Sequence, residues 1–227
     1  MQSAGASRAA IIVAGGAGFR MGTTIPKQFL LLHGKPVLSY CLQAFYEFDP
    51  NLRLIVVLPK EHIDLWKEVG KEISLEIPHE IVAGGEERFF SVRNGIQELK
   101  DETLVAVHDG VRPLVSAQTI ERVFNAAEEH GAAVPVLPVT DTLRQISDAD
   151  SKWVDRSQYV RVQTPQCFKV ADLRAAYDQP FSSEFTDDAS VVEKAGMAIQ
   201  LVKGNPENLK ITGPEDLPVA EAFLPQQ

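Results

Sequence analysis

An apolar run, Ala9-Ala10-Ile11-Ile12-Val13, passes directly into Ala14-Gly15-Gly16-Ala17-Gly18-Phe19-Arg20-Met21-Gly22 and on through Pro26-Lys27-Gln28-Phe29. The apolar residues read as a buried β-strand, so the glycines begin where that strand ends and the backbone can fold closely around an anion. Main-chain N–H groups can converge there on oxygens, and Arg20 and Lys27 add two cations whose charge counts most in a water-poor pocket. The combination reads as a phosphate cradle. Two commoner glycine-loop folds fail on individual letters. A dinucleotide fingerprint counted from Gly16 and Gly18 needs a third glycine where this chain has Met21. A Walker A loop needs Lys followed by Ser or Thr, whereas Lys27 precedes Gln28 and stands well beyond Gly22. For the glycine cluster taken alone, a turn with merely solvated Arg and Lys is the plain alternative.

Strand-like runs recur over residues 9–14, 53–58, 79–83, 103–108 and 132–139, separated by segments of helical spacing. Pro36 is expected to open a helix at its first position, with Val37, Leu38, Cys41, Leu42 and Phe45 along one face. Residues 86–100 carry Phe90, Val92, Ile96 and Leu99, and residues 116–130 start at a Ser116 cap with Ile120, Val123 and Phe124 inward. Alternation of this kind predicts an α/β fold, a mainly parallel twisted sheet with helices on both faces. Ligands collect at the carboxyl ends of the strands in such sheets, where the glycine loop and His108-Asp109 both fall.

From Val139 to Phe168 the alternation stops. Thr140 to Ile146 and Trp153 to Val162 read as two extended limbs around a polar turn at 147–151, a projecting β-arm spanning residues 139–168. Trp153, Val154, Tyr159 and Val160 cannot be buried by such an arm alone, so a partner subunit is expected to cover them. The chain then returns with a helix at 186–195, a strand at 198–203, a short strand from Asn208 to Thr212 and a last helix starting near Pro214. A length of 227 residues fits one domain, residues 1–227.

A net charge of −9 argues against broad nucleic-acid binding, which needs a basic face, so any anionic substrate must be held locally. Arg20, Lys27, Arg112, Arg156 and Lys210 are the candidates, each beside Gly, Pro, Thr or Asn rather than inside a mixed-charge helix. No apolar stretch approaches the ~20 residues needed to cross a bilayer, and the N-terminus lacks a leader pattern, which predicts a cytoplasmic protein. The two cysteines, Cys41 and Cys167, are too few for a disulfide framework or a zinc site. Asp109 ends the run Leu104-Val105-Ala106-Val107-His108, placing a carboxylate at the sheet edge; it suits Mg²⁺, which takes one or two carboxylates plus substrate phosphates. A turn cap before Gly110 is the alternative role. His108 is expected to be a structural hydrogen-bonding group.

The A-G-G-A-G-F-R-M-G and P-K-Q-F segments resemble the signature of the sugar-phosphate and polyol-phosphate cytidylyltransferases, and most of all the 2-C-methyl-D-erythritol 4-phosphate cytidylyltransferase family of non-mevalonate isoprenoid biosynthesis. The likeness continues through His108-Asp109-Gly110-Val111-Arg112-Pro113, Asp141-Thr142, Val154-Asp155-Arg156, Gln163-Thr164-Pro165-Gln166, Thr186-Asp187-Asp188-Ala189-Ser190 and Asn208-Leu209-Lys210-Ile211-Thr212. The resemblance implies a Rossmann-like nucleotidyltransferase fold, CTP and a polyol phosphate as substrates, Mg²⁺, and a homodimer joined through the arm. It implies catalytic roles for Arg20, Lys27 and Lys210, and CTP contacts from Ala14, Gly15, Gly16, Gly18, Gly85, Ser91, Asp109 and Gly110. It further implies contacts to the polyol phosphate from Arg112, Thr142, Arg156 and Thr186, with Arg156 delivered by the partner's arm. In phosphoryl chemistry of this type a phosphate monoester attacks and pyrophosphate leaves, so cations are needed and a protein nucleophile is not. A ribitol-5-phosphate cytidylyltransferase and a catalytically silent nucleotide-binding protein are the rival readings.

Overall fold

The computed structural model describes residues 7–15 and 25–224. In chain order the elements are β1 (Arg8–Val13), β2 (Leu31–Leu32), β3 (Lys35–Pro36), α1 (Val37–Phe48), β4 (Arg53–Leu58), α2 (Ile63–Glu72), β5 (Glu80–Ala83), α3 (Arg88–Gln97), β6 (Leu104–Asp109) and α4 (Ala117–His130). They continue as β7 (Ala132–Pro138), β8 (Leu143–Ile146), β9 (Ser151–Val154), β10 (Val160–Val162), β11 (Gln166–Lys169), α5 (Val170–Tyr177), α6 (Asp188–Lys194), β12 (Gln200–Lys203) and α7 (Asp216–Phe223).

Eight strands form one mixed sheet in the order β10-β7-β11-β6-β1-β4-β5, with β12 parallel to β7. β1 is parallel to β4 and β6, and β4 to β5, so the carboxyl ends of these four strands share one edge. Residues of β1, β4 and β6 alternate between two cores, as the pleat requires. Ala10, Ile12, Leu54, Val56 and Ala106 pack under α1, α2 and α4, with Leu38, Leu42, Trp66, Ile120 and Phe124. Ala9, Ile11, Ile55, Val57, Val105 and Val107 pack under α3, α5 and α6, with Phe89, Val92, Leu173 and Val192. The expected layers, helices on both faces, are present.

Several local expectations need correction. Pro36 is the extended N-cap of α1 (φ −59°, ψ 142°), not its first helical residue, because it is already paired with Leu31 across a tight hairpin. His33 (φ 43°) and Gly34 (φ 80°) form that turn, and the positive φ at both positions suits a two-residue connection. In α3 the fully inward aromatic is Phe89; Phe90 is only half-buried and lies under Phe181, with ring centroids 5.3 Å apart. No strand forms at Asn208–Thr212. That segment is irregular and is held by Ile211, whose N–H donates to the Val111 carbonyl (2.9 Å) and whose side chain is buried with Leu32, Val37 and Ala220. The last helix starts at Asp216, two residues past Pro214, and its first carboxylate accepts from the Thr212 and Gly213 N–H groups at 2.7 and 2.9 Å.

The projecting element is also narrower than residues 139–168. Only β8 and β9 form a separate antiparallel hairpin, largely solvent-exposed, with Ile146 82% and Trp153 64% exposed. The second limb is interrupted at Asp155, whose carboxylate accepts from the Ser157 N–H (3.0 Å) and starts a short 3-10 turn at Arg156–Gln158. The chain then re-enters the main sheet: β10 runs antiparallel to β7, and β11 is inserted between β6 and β7 with Gln166, Cys167 and Phe168 all buried. Alongside β7 the chain advances five residues from Val162 to Cys167 while its partner moves three, from Val136 to Ala133, which leaves a bulge at residues 163–165.

Candidate active site

The end of β1 meets the ends of β4 and β6 at the shared edge through close main-chain contacts. The Ala14 N–H donates to the Val57 carbonyl (2.9 Å) and the Gly110 N–H to the Val13 carbonyl (2.8 Å). A Cβ on Gly110 would lie 2.8 Å from the Ala14 Cβ, so only glycine lets the turn after β6 lie against the end of β1. On the other side the Ser91 hydroxyl, buried at the start of α3, accepts from the Gly85 N–H (3.1 Å) and donates toward the Glu87 carbonyl (3.2 Å). A Cβ on Gly15 would be 3.7 Å from that hydroxyl, which puts Gly15 beside Ser91 although 76 positions separate them in the chain. Ala14, Gly15, Gly85, Ser91, Asp109 and Gly110 therefore gather at neighbouring strand ends. Gly16, Gly18 and Arg20 lie outside the described residues.

Asp109 is the electrostatic centre. Its Oδ2 is 3.0 Å from Lys210 Nζ and 3.4 Å from Arg112 Nε, and its Oδ1 is 3.6 Å from Arg88 Nε. Burial disfavours its charge, but the three cations outweigh burial and hold the carboxyl well below the usual carboxylate range, so it is ionised. Arg112 is tied further by donating to the Asn208 carbonyl at 2.9 Å, which fastens the 208–212 segment against the end of β6. Lys27, at the start of a 3-10 turn, donates to the Thr212 carbonyl at 2.5 Å. Lys27 and Lys210 thus come to one segment from opposite ends of the chain. Gln28 beside it is buried, and among the described residues neither of its side-chain polar atoms has a hydrogen-bond partner.

The bulge at 163–165 sets this geometry. Thr164 Oγ1 accepts from the Asp109 N–H (3.0 Å) and lies 3.1 Å from His108 Nδ1. His108 Nε2 sits 3.0 Å from the Arg112 carbonyl, which can only accept, so Nε2 carries the proton and the Thr164 hydroxyl donates to Nδ1. Burial pushes the His108 pKa down to about 4, so the ring is neutral and structural, as expected from the sequence. Gln163 donates to the Asn205 and Asn208 carbonyls, both at 3.0 Å, and Asn208 donates to the Thr164 carbonyl at 2.7 Å. Gln166 reaches the other way, donating to Asp187 (2.7 Å) and accepting from the Ala189 N–H (2.8 Å).

The polyol-side candidates are arranged differently. Asp187 caps α6: its carboxylate accepts from the Ser190 N–H (2.9 Å) while the Ser190 hydroxyl accepts from the Asp187 N–H (3.2 Å). Thr186 stands just outside the helix with its side chain exposed. Thr142 and Arg156 are exposed at the base of the hairpin, where Arg156 donates to the Thr140 carbonyl. Among the described residues, no hydrogen bond or ion pair joins Thr142, Arg156 or Thr186 to the Asp109 cluster, whereas Arg112 is part of it.

Arg88 and Asp188 were not singled out from the sequence. The Arg88 guanidinium donates to both oxygens of the fully buried Asp188 at 2.8 and 2.6 Å, and the Tyr177 hydroxyl donates to the same carboxylate at 2.6 Å. The available signals were an arginine following a glycine turn and a second acid inside Thr186-Asp187-Asp188, and both also fit a helix start.

A family model described as 2-C-methyl-D-erythritol 4-phosphate cytidylyltransferase matches residues 8–226. A protein of that name from Bacteroides thetaiotaomicron is 50% identical over 214 residues, covering 94% of this chain and 98% of the relative. One from Porphyromonas gingivalis is 51% identical over 219 residues, covering 96% and 97%. Among solved structures, 4-diphosphocytidyl-2C-methyl-D-erythritol synthase from Anaerococcus prevotii superposes with a TM-score of 0.82 at 29% identity, covering 95% of each chain. The 2-C-methyl-D-erythritol 4-phosphate cytidylyltransferase of Thermus thermophilus gives 0.74 at 34% identity, covering 94% of this chain and 96% of that one.

Proposed function

This chain belongs to the 2-C-methyl-D-erythritol 4-phosphate cytidylyltransferase family, and on that premise we propose how its residues divide the reaction. The activity is transfer of the CMP group of CTP to 2-C-methyl-D-erythritol 4-phosphate, giving 4-diphosphocytidyl-2-C-methyl-D-erythritol and pyrophosphate in isoprenoid biosynthesis. The attacking phosphate monoester is already a nucleophile, so the protein's work is orientation and charge balance.

In the proposed division, Lys27, Lys210 and Arg20 offset the charge that builds on the α-phosphate as pyrophosphate departs. The observation that carries this is the convergence of Lys27 and Lys210 on the 208–212 segment beside Asp109. The backbone at Ala14, Gly15, Gly16 and Gly18 cradles the triphosphate, and the Gly85 turn stiffened by Ser91 reads the cytosine edge with fixed main-chain groups. Arg112 orients the polyol phosphate together with Thr142, Thr186 and Arg156 of the partner subunit.

Mg²⁺ fits Asp109, an ionised hard-oxygen donor at the sheet edge. Among the described residues no cluster of three or more His, Cys, Asp or Glu could hold a metal, so triphosphate oxygens and water would complete its shell. When bound, the ion supplies charge neutralisation to the triphosphate. Lys210, whose side chain is 45% exposed, is free of the packing that fixes Arg112 and can move off Asp109 to meet the substrate.

A homodimer is proposed through the hairpin, supported by the exposed Ile146 and Trp153. The proposed compartment is the cytoplasm, supported by two free buried thiols, Cys41 and Cys167. No helix among the described residues is long and apolar enough to cross a membrane. A nucleic-acid partner is not proposed for a chain of net charge −9. Pyrophosphate release with CTP and methylerythritol phosphate, compared with CTP and ribitol 5-phosphate, tests the reading. Turnover confined to the first pair is expected; preference for ribitol 5-phosphate, or no turnover with either, would overturn it.

A further inference from the structure

Asp109 and the Thr186-Asp187-Asp188 turn belong to parts of the fold that the chain builds far apart, at the end of β6 and the start of α6. One side chain touches both. Arg88 places its two terminal nitrogens on Asp188 at 2.8 and 2.6 Å and its Nε 3.6 Å from Asp109 Oδ1. We propose that Arg88 is a positioning residue: its fork on Asp188 fixes the turn that presents Thr186, while its Nε fixes the near oxygen of Asp109. The nucleotide side and the polyol side of the site are thereby set against each other by one rigid guanidinium.

Three features favour this over a purely structural ion pair. First, a planar two-pronged contact specifies the orientation of Asp188 as well as its distance, which a point charge does not. Second, Asp188 has no exposed surface and is also bonded by the Tyr177 hydroxyl at 2.6 Å, so it is a fixed anchor two residues from the exposed Thr186. Third, Gln166, in β11 next to β6, holds the same turn through Asp187 and the Ala189 N–H, so Arg88 and Gln166 brace it from two sides. Phe181 and Phe185, which flank the loop leading into the turn, pack against Phe89, the residue after Arg88, with ring centroids 5.7 Å away in each case. The loop is thereby packed on α3 next to Arg88.

The inference rests on the cytidylyltransferase reading and on Thr186 contacting the polyol phosphate. Arg88→Lys keeps the charge and removes the fork. With full-length enzyme, KM for methylerythritol phosphate and KM for CTP are each expected to rise about tenfold, with an active fraction at the assay temperature close to wild type. In a Thr186→Val background, Arg88→Lys is expected to raise the CTP KM as before but to leave the polyol KM where Thr186→Val alone puts it. Unchanged KM values in Arg88→Lys, or the same added rise in polyol KM in both backgrounds, would overturn the proposal. So would a lowered midpoint with unaltered KM, which is what a fold-only role produces. Should Arg88→Lys fail to fold, Tyr177→Phe removes one hydroxyl from the Asp188 anchor; a polyol KM raised only when Thr186 is present is then the supporting result, and no change is the opposing one. Loss of the underlying reading is told apart by the wild type, which would show no turnover with this substrate pair.

Discussion

Lys210 Nζ lies 3.0 Å from Asp109 Oδ2, and the chain joining Lys210 to Thr212 is the same segment whose carbonyl holds Lys27. The two cations proposed for the phosphates therefore meet on one segment, and one of them is paired with a carboxylate. A side chain held by a single ion pair, half in solvent, loses little on leaving it.

Lys27→Ala is expected to lower kcat by about 100-fold or more while changing KM for CTP far less, the pattern of an interaction made mainly in the transition state. Lys210→Ala should behave the same way. Steady-state pyrophosphate release separates the two parameters; a rise in KM with kcat intact would remove either lysine from the chemical step.

Thr164→Val deletes the acceptor of the buried Asp109 N–H and the donor to His108 in a side chain of nearly equal shape. A loss of about 1–3 kcal/mol in urea unfolding is expected, with reduced kcat/KM because Asp109 shifts. Thr164→Ser should recover most of both.

His108 titrates at about 4 in the fold against an ordinary value of about 6.5, because burial disfavours its charge. The unfolded chain therefore takes up this proton first as pH falls. Stability from the neutral ring is complete above about pH 6.5 and is lost between there and about pH 4, about 3 kcal/mol in all. Urea midpoints across that range should fall, and His108→Gln should flatten the slope. An identical slope in the variant would assign the pH dependence to other groups.

If Arg156 serves the neighbouring subunit's site, mixing Arg156→Ala with Lys27→Ala enzyme, each nearly inactive, should regenerate activity approaching a quarter of the wild-type level, since about half of randomly paired dimers carry one intact site. Trp153→Asp should abolish the recovery and yield monomers in sedimentation. Absence of recovery with dimers exchanging freely would put Arg156 in its own chain's site.

The layers were legible in the sequence because β1, β4 and β6 are buried on both faces and so read as uninterrupted apolar runs, and because Ser116 and the Ile120-Val123-Phe124 spacing mark α4 without ambiguity. α2 and α5 gave weaker signals: Trp66 is the one buried residue of α2, and α5 follows β11 directly at Val170. The hairpin is shorter than the extended residues around it because Val160 and Val162, about half-exposed on an edge strand, carry the pattern of a projecting limb although they pair with β7. Asp109 was readable from its place after an apolar strand. Asp188 and Thr164 fall inside motifs that carry the resemblance, but their partners, and the role of Arg88, are not legible, since each bonds a residue far away in the chain and spacing records only neighbours.

The bulge beside β7 has a consequence for how this protein tolerates change. Strand side chains alternate sides, so deleting one of the three residues Gln163, Thr164 or Pro165 would turn every following position of β11 over, exchanging the partners of Gln166, Cys167 and Phe168. A surface loop absorbs a lost residue with little harm; this short detour between two threads of the main sheet cannot, and its length is as strictly constrained as the identity of any charged group it positions.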